Sequence, residues 1–461
     1  MKNALKWLLV CTLCANLLAE DESALSPTLL SNLKQAVVSR SDYRAWQNAI
    51  TNNDIKQLAL NREIINSYND VFSLRLKTEG ITDQQSSGRC WMFAAFNTMR
   101  PMVMKKYNLA TFEFSENYTM FWDKLEKANL FFEIVIETAQ KDVEERELQS
   151  LLEDPIYDGG WWSYWVNLLE KYGCVPKDIM PETINSSKTG NMNNMLNRLA
   201  IRDAVELRKL ARQGQKITAL RQKKIEMLKD FYQILVLHLG TPPEQFTWRF
   251  KDKNDKVIEQ VYTPLEFYRA TIECNLKDYV TLADHAIRPY NKHYEIKYCR
   301  NMSETPNMDF INVEAPLLKE YAFKVLQDSI PVWFAADVAI DMDREKGIMA
   351  ANLYDYESLL GLKLGLSKHD RLLYRHSVPG HAMALIGVDI KDGKPQKWLV
   401  ENSWGNKIGK DGYWTMFDNW FNEYVFVVIV PRKYLTPQLE NLLKTRPEEL
   451  PVWDPLRQML N

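Results

Sequence analysis

A cysteine at the head of an apolar run constrains the fold of this chain more than any other feature of its sequence. Cys90 follows the polar segment 83–89 and begins a run, 90–96, that is almost entirely apolar. The run contains good helix formers and no Gly or Pro before Pro101, so it predicts a buried helix with Cys90 in its first turn. Free N–H groups and the positive dipole end of a helix favour a thiolate there. Because the thiolate is the nucleophilic form of cysteine, the pattern indicates a nucleophile.

The residues around Cys90 resemble the nucleophile region of papain-like cysteine peptidases. Gln84, five intervening residues and then Cys90-Trp91 stand in that order, and the Gln84 amide could donate to an oxyanion. Ser87 and Arg89 depart from the common Cys-Gly-Ser/Ala-Cys-Trp signature and resemble the bleomycin hydrolase/aminopeptidase C branch. An inert buried cysteine is the alternative, but the register of Gln84 and Trp91 with Cys90 favours catalysis.

A histidine and an asparagine complete the candidate catalytic set. His381 begins an apolar strand pattern, and Asn402 follows a second strand pattern, two residues before Trp404. A cysteine nucleophile needs a base that takes its proton and returns it to the leaving amine, and an Asn carbonyl can orient that base without adding charge. These stretches resemble the papain-like pattern, with His376 as the one serious rival to His381. A His-paired cysteine of the papain type has a pKa of about 3–4, which sets the scale expected for Cys90.

The paired glycines Gly159 and Gly160 are candidate substrate contacts. Two glycines allow one backbone to approach another closely, as a peptide-binding edge requires. In the papain-like enzymes that this chain resembles, a Gly-Gly at this stage pairs with the substrate main chain. A simple turn explains the same residues equally well.

The spacing of the candidate residues predicts an α+β, papain-like two-lobed fold with a large insertion. The interval from Cys90 to His381 is 381 − 90 = 291 residues, whereas papain-like enzymes have roughly 130–150. The excess of roughly 150 residues is close to the 145 residues of block 176–320, which is mainly helical in pattern. Six segments follow: a signal peptide (1–19), an N-terminal arm (20–70), a helical lobe with the nucleophile (71–175), the helical insertion (176–320), a β-rich, barrel-like lobe with His and Asn (321–435), and a C-terminal arm (436–461).

The N-terminus has the pattern of a secretory signal peptide. Lys2 and Lys6 precede an apolar run, 7–18, and an acidic segment, 20–22, follows Ala19. The run is too short to span a bilayer, which takes about 20 residues. We expect a secreted or periplasmic protein with no membrane span after signal removal; a buried N-terminal helix is the alternative.

The resemblance implies an assembly as well as a reaction. It implies a homohexamer with internal active sites, hydrolysing peptides from the N-terminus through a thioester and using no cofactor. In this branch the C-terminal arm lies in the cleft, and its terminal carboxylate holds the substrate's amino group. Asn461 is therefore a candidate substrate-binding residue. The tail, 456–461, is about one residue longer than usual, so trimming of Asn461 and the exopeptidase preference stay open.

Charge and cysteine spacing limit the other classes of function. The net charge is −2, so nucleic-acid binding would depend on the basic helical pattern 198–229, which is more often a solvated face. An endopeptidase or acyl transferase with the same Cys-His-Asn site is a further alternative. The other cysteines after the signal segment lack metal-ligand spacing, which makes zinc unexpected, and they allow at most one disulfide: Cys174, Cys274 and Cys299.

Overall fold

A computed structural model of the protein describes residues 23–460, so the expected signal peptide and Asn461 lie outside the described residues. The chain divides into two compact units, one from the described residues up to Arg62 with Tyr354–Lys363, and one from Glu63–Leu353 with Leu364 onwards. Among the described residues, no helix combines the length and the apolar character that crossing a membrane requires.

The helices are α1 (Pro27–Val38), α2 (Tyr43–Asn52), α3 (Ile55–Ala59), α4 (Arg62–Ser67), α5 (Cys90–Lys106), α6 (Glu116–Glu137), α7 (Arg146–Leu152), α8 (Trp162–Tyr172), α9 (Ile184–Ser187), α10 (Gly190–Arg212), α11 (Ile217–Leu239), α12 (Pro264–Thr271), α13 (Ala315–Gln327), α14 (Tyr356–Leu360), α15 (Lys368–Leu373), α16 (Asp418–Tyr424) and α17 (Pro437–Leu443).

The strands are β1 (Leu74–Arg75), β2 (Phe246–Lys251), β3 (Val257–Tyr262), β4 (Tyr279–Ala283), β5 (Lys292–Ile296), β6 (Asp309–Asn312), β7 (Val332–Ala336), β8 (Met342–Asp343), β9 (Ile348–Met349), β10 (His381–Lys391), β11 (Lys394–Glu401), β12 (Tyr413–Phe417), β13 (Val425–Pro431) and β14 (Glu448–Leu450).

The smaller unit is helical. It contains α1, α2, α3 and α14, and the N–H group of Asp355 donates to the carbonyl of Ala59 to join α14 to α3. Ser26 caps α1 by accepting the N–H of Leu29, and Pro27 occupies the first helical position, where its missing N–H costs nothing.

The helical core of the larger unit forms around α5 and α6. Helix α5 begins at Cys90, as the sequence predicts, and continues past Pro101 to Lys106. Ser115 caps α6 by accepting the N–H of Tyr118 at 3.0 Å. Almost every side chain of α5 up to Arg100 is buried, because sheet, α6 and α8 surround this helix.

A large mixed sheet forms the other half of this unit. Its strand order is β14-β5-β6-β4-β13-β7-β10-β11-β12-β9-β8, and β1 pairs with β10 at one end. Strands β7, β10, β11 and β13 lie in the stretch 321–435 that the sequence predicts to be β-rich. In the central antiparallel pairs, His381 lies opposite Ala336 and Ala384 lies opposite Glu401. This register brings the start of β10 to the same sheet edge as the end of β11.

Block 176–320 contributes both helices and strands. It contains a hairpin, in which β2 and β3 pair antiparallel around a polar turn. Thr263 and Glu266 form a capping box at the start of α12. Strands β4, β5 and β6 join the large sheet through the pairing of β4 with β13, and β14 pairs with β5 at the outer edge, so the end of this block packs into the main body. The segment boundaries drawn from the sequence stay a prediction.

Two buried contacts fasten α5 to the sheet. The Trp333 indole N–H on β7 donates to the carbonyl of Trp91 at 3.0 Å. Arg100 pairs with Glu401 at the end of β11 at 2.5 Å, with both side chains almost fully buried. These contacts place the first turn of α5 against the sheet edge that carries His381.

Candidate active site

Cys90 lies in the first turn of α5 with 5% of its surface exposed. Burial raises the pKa of the Cys90 thiol to about 11, although N–H groups of Ala382 and Trp91 favour the thiolate. This direction is opposite to the low pKa expected from the sequence. The N–H group that contacts the sulfur belongs to Ala382, the residue after His381. The Cys90 sulfur therefore lies at the start of β10.

His381 is held by Asn402 at the sheet edge. The His381 Nε2 atom lies 2.8 Å from the Asn402 Oδ1 atom, and both side chains are buried. An amide oxygen accepts, so Nε2 carries the proton and Nδ1 is left free to act as a base. The Trp404 ring lies 4.6 Å from the imidazole, centroid to centroid. The rival His376 is exposed and lies before β10.

Burial also controls the charge of the imidazole. Burial lowers the pKa of His381 to about 4. The positive charge of Arg344 also lowers this pKa, whereas the hydrogen bond to Asn402 raises it. A single charge on either Cys90 or His381 is therefore unfavourable. Transfer of the thiol proton to the ring creates both charges together, and their mutual attraction offsets the loss of solvation.

Gln84 lies beside Asn402 and is fixed by three hydrogen bonds. Its backbone N–H donates to the Ser403 carbonyl at 2.9 Å, and its Oε1 accepts from the Ser403 hydroxyl at 2.7 Å. Its Nε2 donates to the Ser87 carbonyl at 2.7 Å. The amide group therefore has one fixed orientation, and its second N–H is not used in these contacts.

Gly160 packs directly on the nucleophile helix, and Gly159 contacts α6. A Cβ at Gly160 would come within 2.5 Å of the Trp91 ring. The Trp91 indole N–H donates to the Asp158 carbonyl at 2.9 Å, and the Gly159 carbonyl accepts from Lys127 at 2.7 Å. Close packing on Trp91 therefore requires glycine at position 160, while the substrate contact predicted for both glycines stays a prediction.

Sequence reasoning missed a charged cluster under this segment. Lys124 and Lys127 lie one turn apart on α6 and are buried, with Asp158 and Asp123 as their partners at 2.7 and 2.6 Å. Two lysines on a helix rich in large apolar residues were the available signal, since buried lysines need partners.

The C-terminal segment is anchored in the same unit. The Asp454 carboxylate is buried and lies 2.9 Å from His285 Nε2, and it accepts the Leu456 N–H. Burial raises the pKa of Tyr157, and the positive charge of the Arg457 guanidinium lowers it. Because Arg457 acts on Tyr157, the C-terminal segment runs close to the residues before Asp158.

The described cysteines, residues 90, 174, 274 and 299, are all free thiols. In the part of the chain that the structure describes, no group of three or more His, Cys, Asp or Glu side chains could hold a metal ion.

Known proteins match this chain over nearly its whole length. The model of the Peptidase C1-like family matches residues 24–457. Aminopeptidase C of Listeria monocytogenes is 39% identical over 430 residues, which cover 93% of this chain and 97% of that protein. Human bleomycin hydrolase is 36% identical over 451 residues, which cover 95% and 99%.

A solved structure has the same fold. The crystal structure of PepW from Lactobacillus rhamnosis HN001 superposes with a TM-score of 0.92 at 37% identity, covering 94% of this chain and 99% of that one. The predicted α+β, papain-like fold and the resemblance to the bleomycin hydrolase/aminopeptidase C branch are confirmed. The chain belongs to the Peptidase C1-like family, as a cysteine peptidase.

Proposed function

We propose that this cysteine peptidase is an aminopeptidase whose catalytic residues are Cys90, His381, Asn402 and Gln84. The observation that carries the proposal is the hydrogen bond between His381 and Asn402 at the strand edge where Ala382 contacts the Cys90 sulfur. Nucleophile, base and orienting group then follow one another in the order that acyl transfer requires.

The reaction begins with transfer of the Cys90 proton to Nδ1 of His381. The thiolate attacks the peptide carbonyl, and the Gln84 amide and the Cys90 N–H stabilise the oxyanion. His381 then gives its proton to the departing amine, which leaves a thioester on Cys90. Water loses a proton to His381 as it attacks the thioester, and the acid product and the free thiol form.

The aminopeptidase specificity is assigned to the C-terminal segment. The match to the family model extends to residue 457 of this chain. The contacts of Asp454 with His285 and Leu456 fix where the tail begins. From there the carboxylate of Asn461, or of its neighbour after trimming, would hold the substrate ammonium, and Gly159 and Gly160 would pair with the substrate backbone.

Assembly and export are further parts of the proposal. The signal-like segment 1–19 supports a secreted or periplasmic location, and the family supports a homohexamer. Mass spectrometry of the exported protein's N-terminus and its mass in solution test the two statements. A mature chain that begins at Met1, or a monomer, would contradict them.

One set of assays tests the activity. Cys90→Ala should abolish cleavage of an aminoacyl substrate without changing the solution mass. The full-length enzyme should prefer a free-amine substrate over its N-blocked form, and deletion of residues 456–461 should remove this preference. Retained turnover in Cys90→Ala rejects the nucleophile; equal cleavage of both substrates by the full-length enzyme makes the protein an endopeptidase. Transfer of the acyl group to an added amine would identify an acyl transferase.

The basic pattern 198–229 adds no second function. Arg221 and Lys224 pair with Glu133 of α6, and other cations of this pattern pair within α10 and α11. These ion pairs favour a structural, solvated face over a nucleic-acid surface. Binding to DNA at low salt that weakens steeply as salt increases would favour the other interpretation.

A further inference from the structure

We propose that Asp158 is a positioning residue that fixes the nucleophile turn against α6 and α10 and keeps a negative charge beside Cys90. The effect of Asp158 on catalysis rests on the proposed function. Neither the sequence pattern nor the family match assigns a role to this side chain.

The Asp158 carboxylate contacts four donor groups, which come from the nucleophile turn, α6 and the start of α10. The Gly88 N–H donates at 3.0 Å, two residues before the nucleophile. Lys124 on α6 lies at 2.7 Å, the Thr189 hydroxyl at 2.5 Å and the Asn193 amide at 2.8 Å. Only 11% of the side chain is exposed. One carboxylate therefore joins the nucleophile turn to both helices.

The backbone of the same residue is fixed as firmly. Its carbonyl accepts the Trp91 indole N–H, so Asp158 contacts the chain on both sides of Cys90. A Cβ at Gly88 would come within 2.7 Å of the Asp158 Cβ, which shows how closely the turn approaches this residue. A small shift of Asp158 would therefore move the turn that carries the sulfur.

The segment before α10 also forms hydrogen bonds with the nucleophile turn. The Ser86 N–H donates to the Ser187 carbonyl at 2.9 Å. Arg89, almost fully buried, makes two parallel hydrogen bonds to Glu182 at 3.0 and 2.9 Å. Asp158 is the member of this cluster whose charge acts on the nucleophile.

The partners of Asp158 favour its charged form. Burial raises the pKa of Asp158, but Lys124 and the hydrogen bonds outweigh burial and hold this pKa well below its usual range. The carboxylate in turn raises the pKa of the Cys90 thiol. The site therefore has a fixed negative charge that opposes formation of the Cys90 thiolate.

The test uses the full-length protein and three readouts: kcat, KM, and the pH dependence of Cys90 alkylation by iodoacetamide, followed by mass spectrometry of the Cys90 peptide. In Asp158→Asn the alkylation midpoint should fall by about one pH unit, while kcat falls about 10- to 100-fold because the turn is misplaced. Asp158→Glu should lower kcat and keep the midpoint. The control is Asp154→Asn, since Asp154 lies on the same segment and contacts Asn197 of α10; it should behave as wild type.

Each outcome is decisive. A fall in kcat without a shift of the midpoint in Asp158→Asn would mean a purely structural role and would overturn the proposal, as would wild-type behaviour. If Asp158→Asn does not fold, Thr189→Val and Asp158→Glu replace it, and wild-type kcat in both overturns the proposal. Alkylation does not require peptide cleavage, so a midpoint shift in a protein that cleaves no peptide would reject the proposed function and keep the role of Asp158.

Discussion

Asn402 orients His381 through a 2.8 Å hydrogen bond between its amide oxygen and Nε2 of the ring. The Asn402 oxygen also accepts the Ser403 N–H at 2.8 Å, so the amide itself cannot rotate freely. The ring of Trp404 lies against the imidazole and excludes water from this bond. The orientation of the base is therefore set by the loop that follows β11.

Replacement of Asn402 by Ala should reduce kcat/KM about 100-fold, because the ring can then turn away from the sulfur. Asn402→Asp keeps an acceptor and should retain more activity, with a raised His381 pKa from the added charge. Steady-state kinetics over a range of pH measures both effects. Activity of Asn402→Ala within twofold of wild type would show that the packing of Trp404 alone orients the ring.

Arg344 provides a prediction about pH. Its guanidinium lies 4.7 Å from the centre of the Trp404 ring, and its charge lowers the pKa of His381. Removing the charge raises this pKa, and the reaction begins with neutral His381, which accepts the Cys90 proton. In Arg344→Gln the acid limb of kcat/KM should therefore move to higher pH, by about 0.5 unit because an exposed charge is partly screened.

The matched control for Arg344 is Lys407→Gln, which removes an exposed cation from the loop after Trp404 without a described effect on His381. High salt should move the wild-type limb in the same direction as Arg344→Gln. An equal shift in both variants would assign the effect to net charge rather than to Arg344.

The catalytic residues and the helix and strands that carry them were predictable from the sequence, but the long-range contacts that hold these elements in place were not. The start of α5 at Cys90 follows from helix propensity, and β10 and β11 follow from apolar runs, since both signals depend on neighbouring residues. Lys124 and Lys127 also contact side-chain and main-chain groups roughly thirty residues away, Asp158 and the Gly159 carbonyl, and no local pattern encodes these contacts. The same holds for β4, which joins β13 across the sheet.

The acidity of the site also required the structure. The sequence gives the residue types, and a His-paired cysteine is expected to be acidic. Burial of both groups acts in the opposite direction, raising the pKa of Cys90 and lowering that of His381. Only the packing of α5 on the sheet determines how completely the two groups lose water.

Glu116 should make stability depend on pH. It is 1% exposed, and its Oε2 atom has no hydrogen-bond partner among the described residues. Burial raises the pKa of Glu116 to about 8, whereas the unfolded chain releases this proton near 4.5. Between these values the folded state binds more protons, so stability falls as pH rises from about 4.5 to about 8.

Glu116→Gln should remove this dependence, because the amide resembles the protonated acid and cannot ionise. The Tm of the variant should exceed that of wild type by about 3 °C at pH 8, and by less at pH 5. Thermal unfolding at the two pH values measures the difference. The exposed Glu244→Gln should change neither Tm, and an equal difference at both pH values would contradict the burial of an ionisable group.

Gly160 is predicted to tolerate no side chain. A Cβ there would lie 2.5 Å from the Trp91 ring, which is buried and bonded to Asp158 and so cannot move aside. Gly160→Ala should therefore cost about 1–3 kcal/mol of stability and lower kcat by displacing Trp91, the residue next to Cys90.

Gly190→Ala is the matched control, since no atom lies within 4 Å of its added Cβ and the residue begins α10; it should keep activity and gain slightly in stability. Denaturant unfolding and kcat measure both variants. Equal stability and activity of the two would show that Trp91 can shift without disturbing the nucleophile.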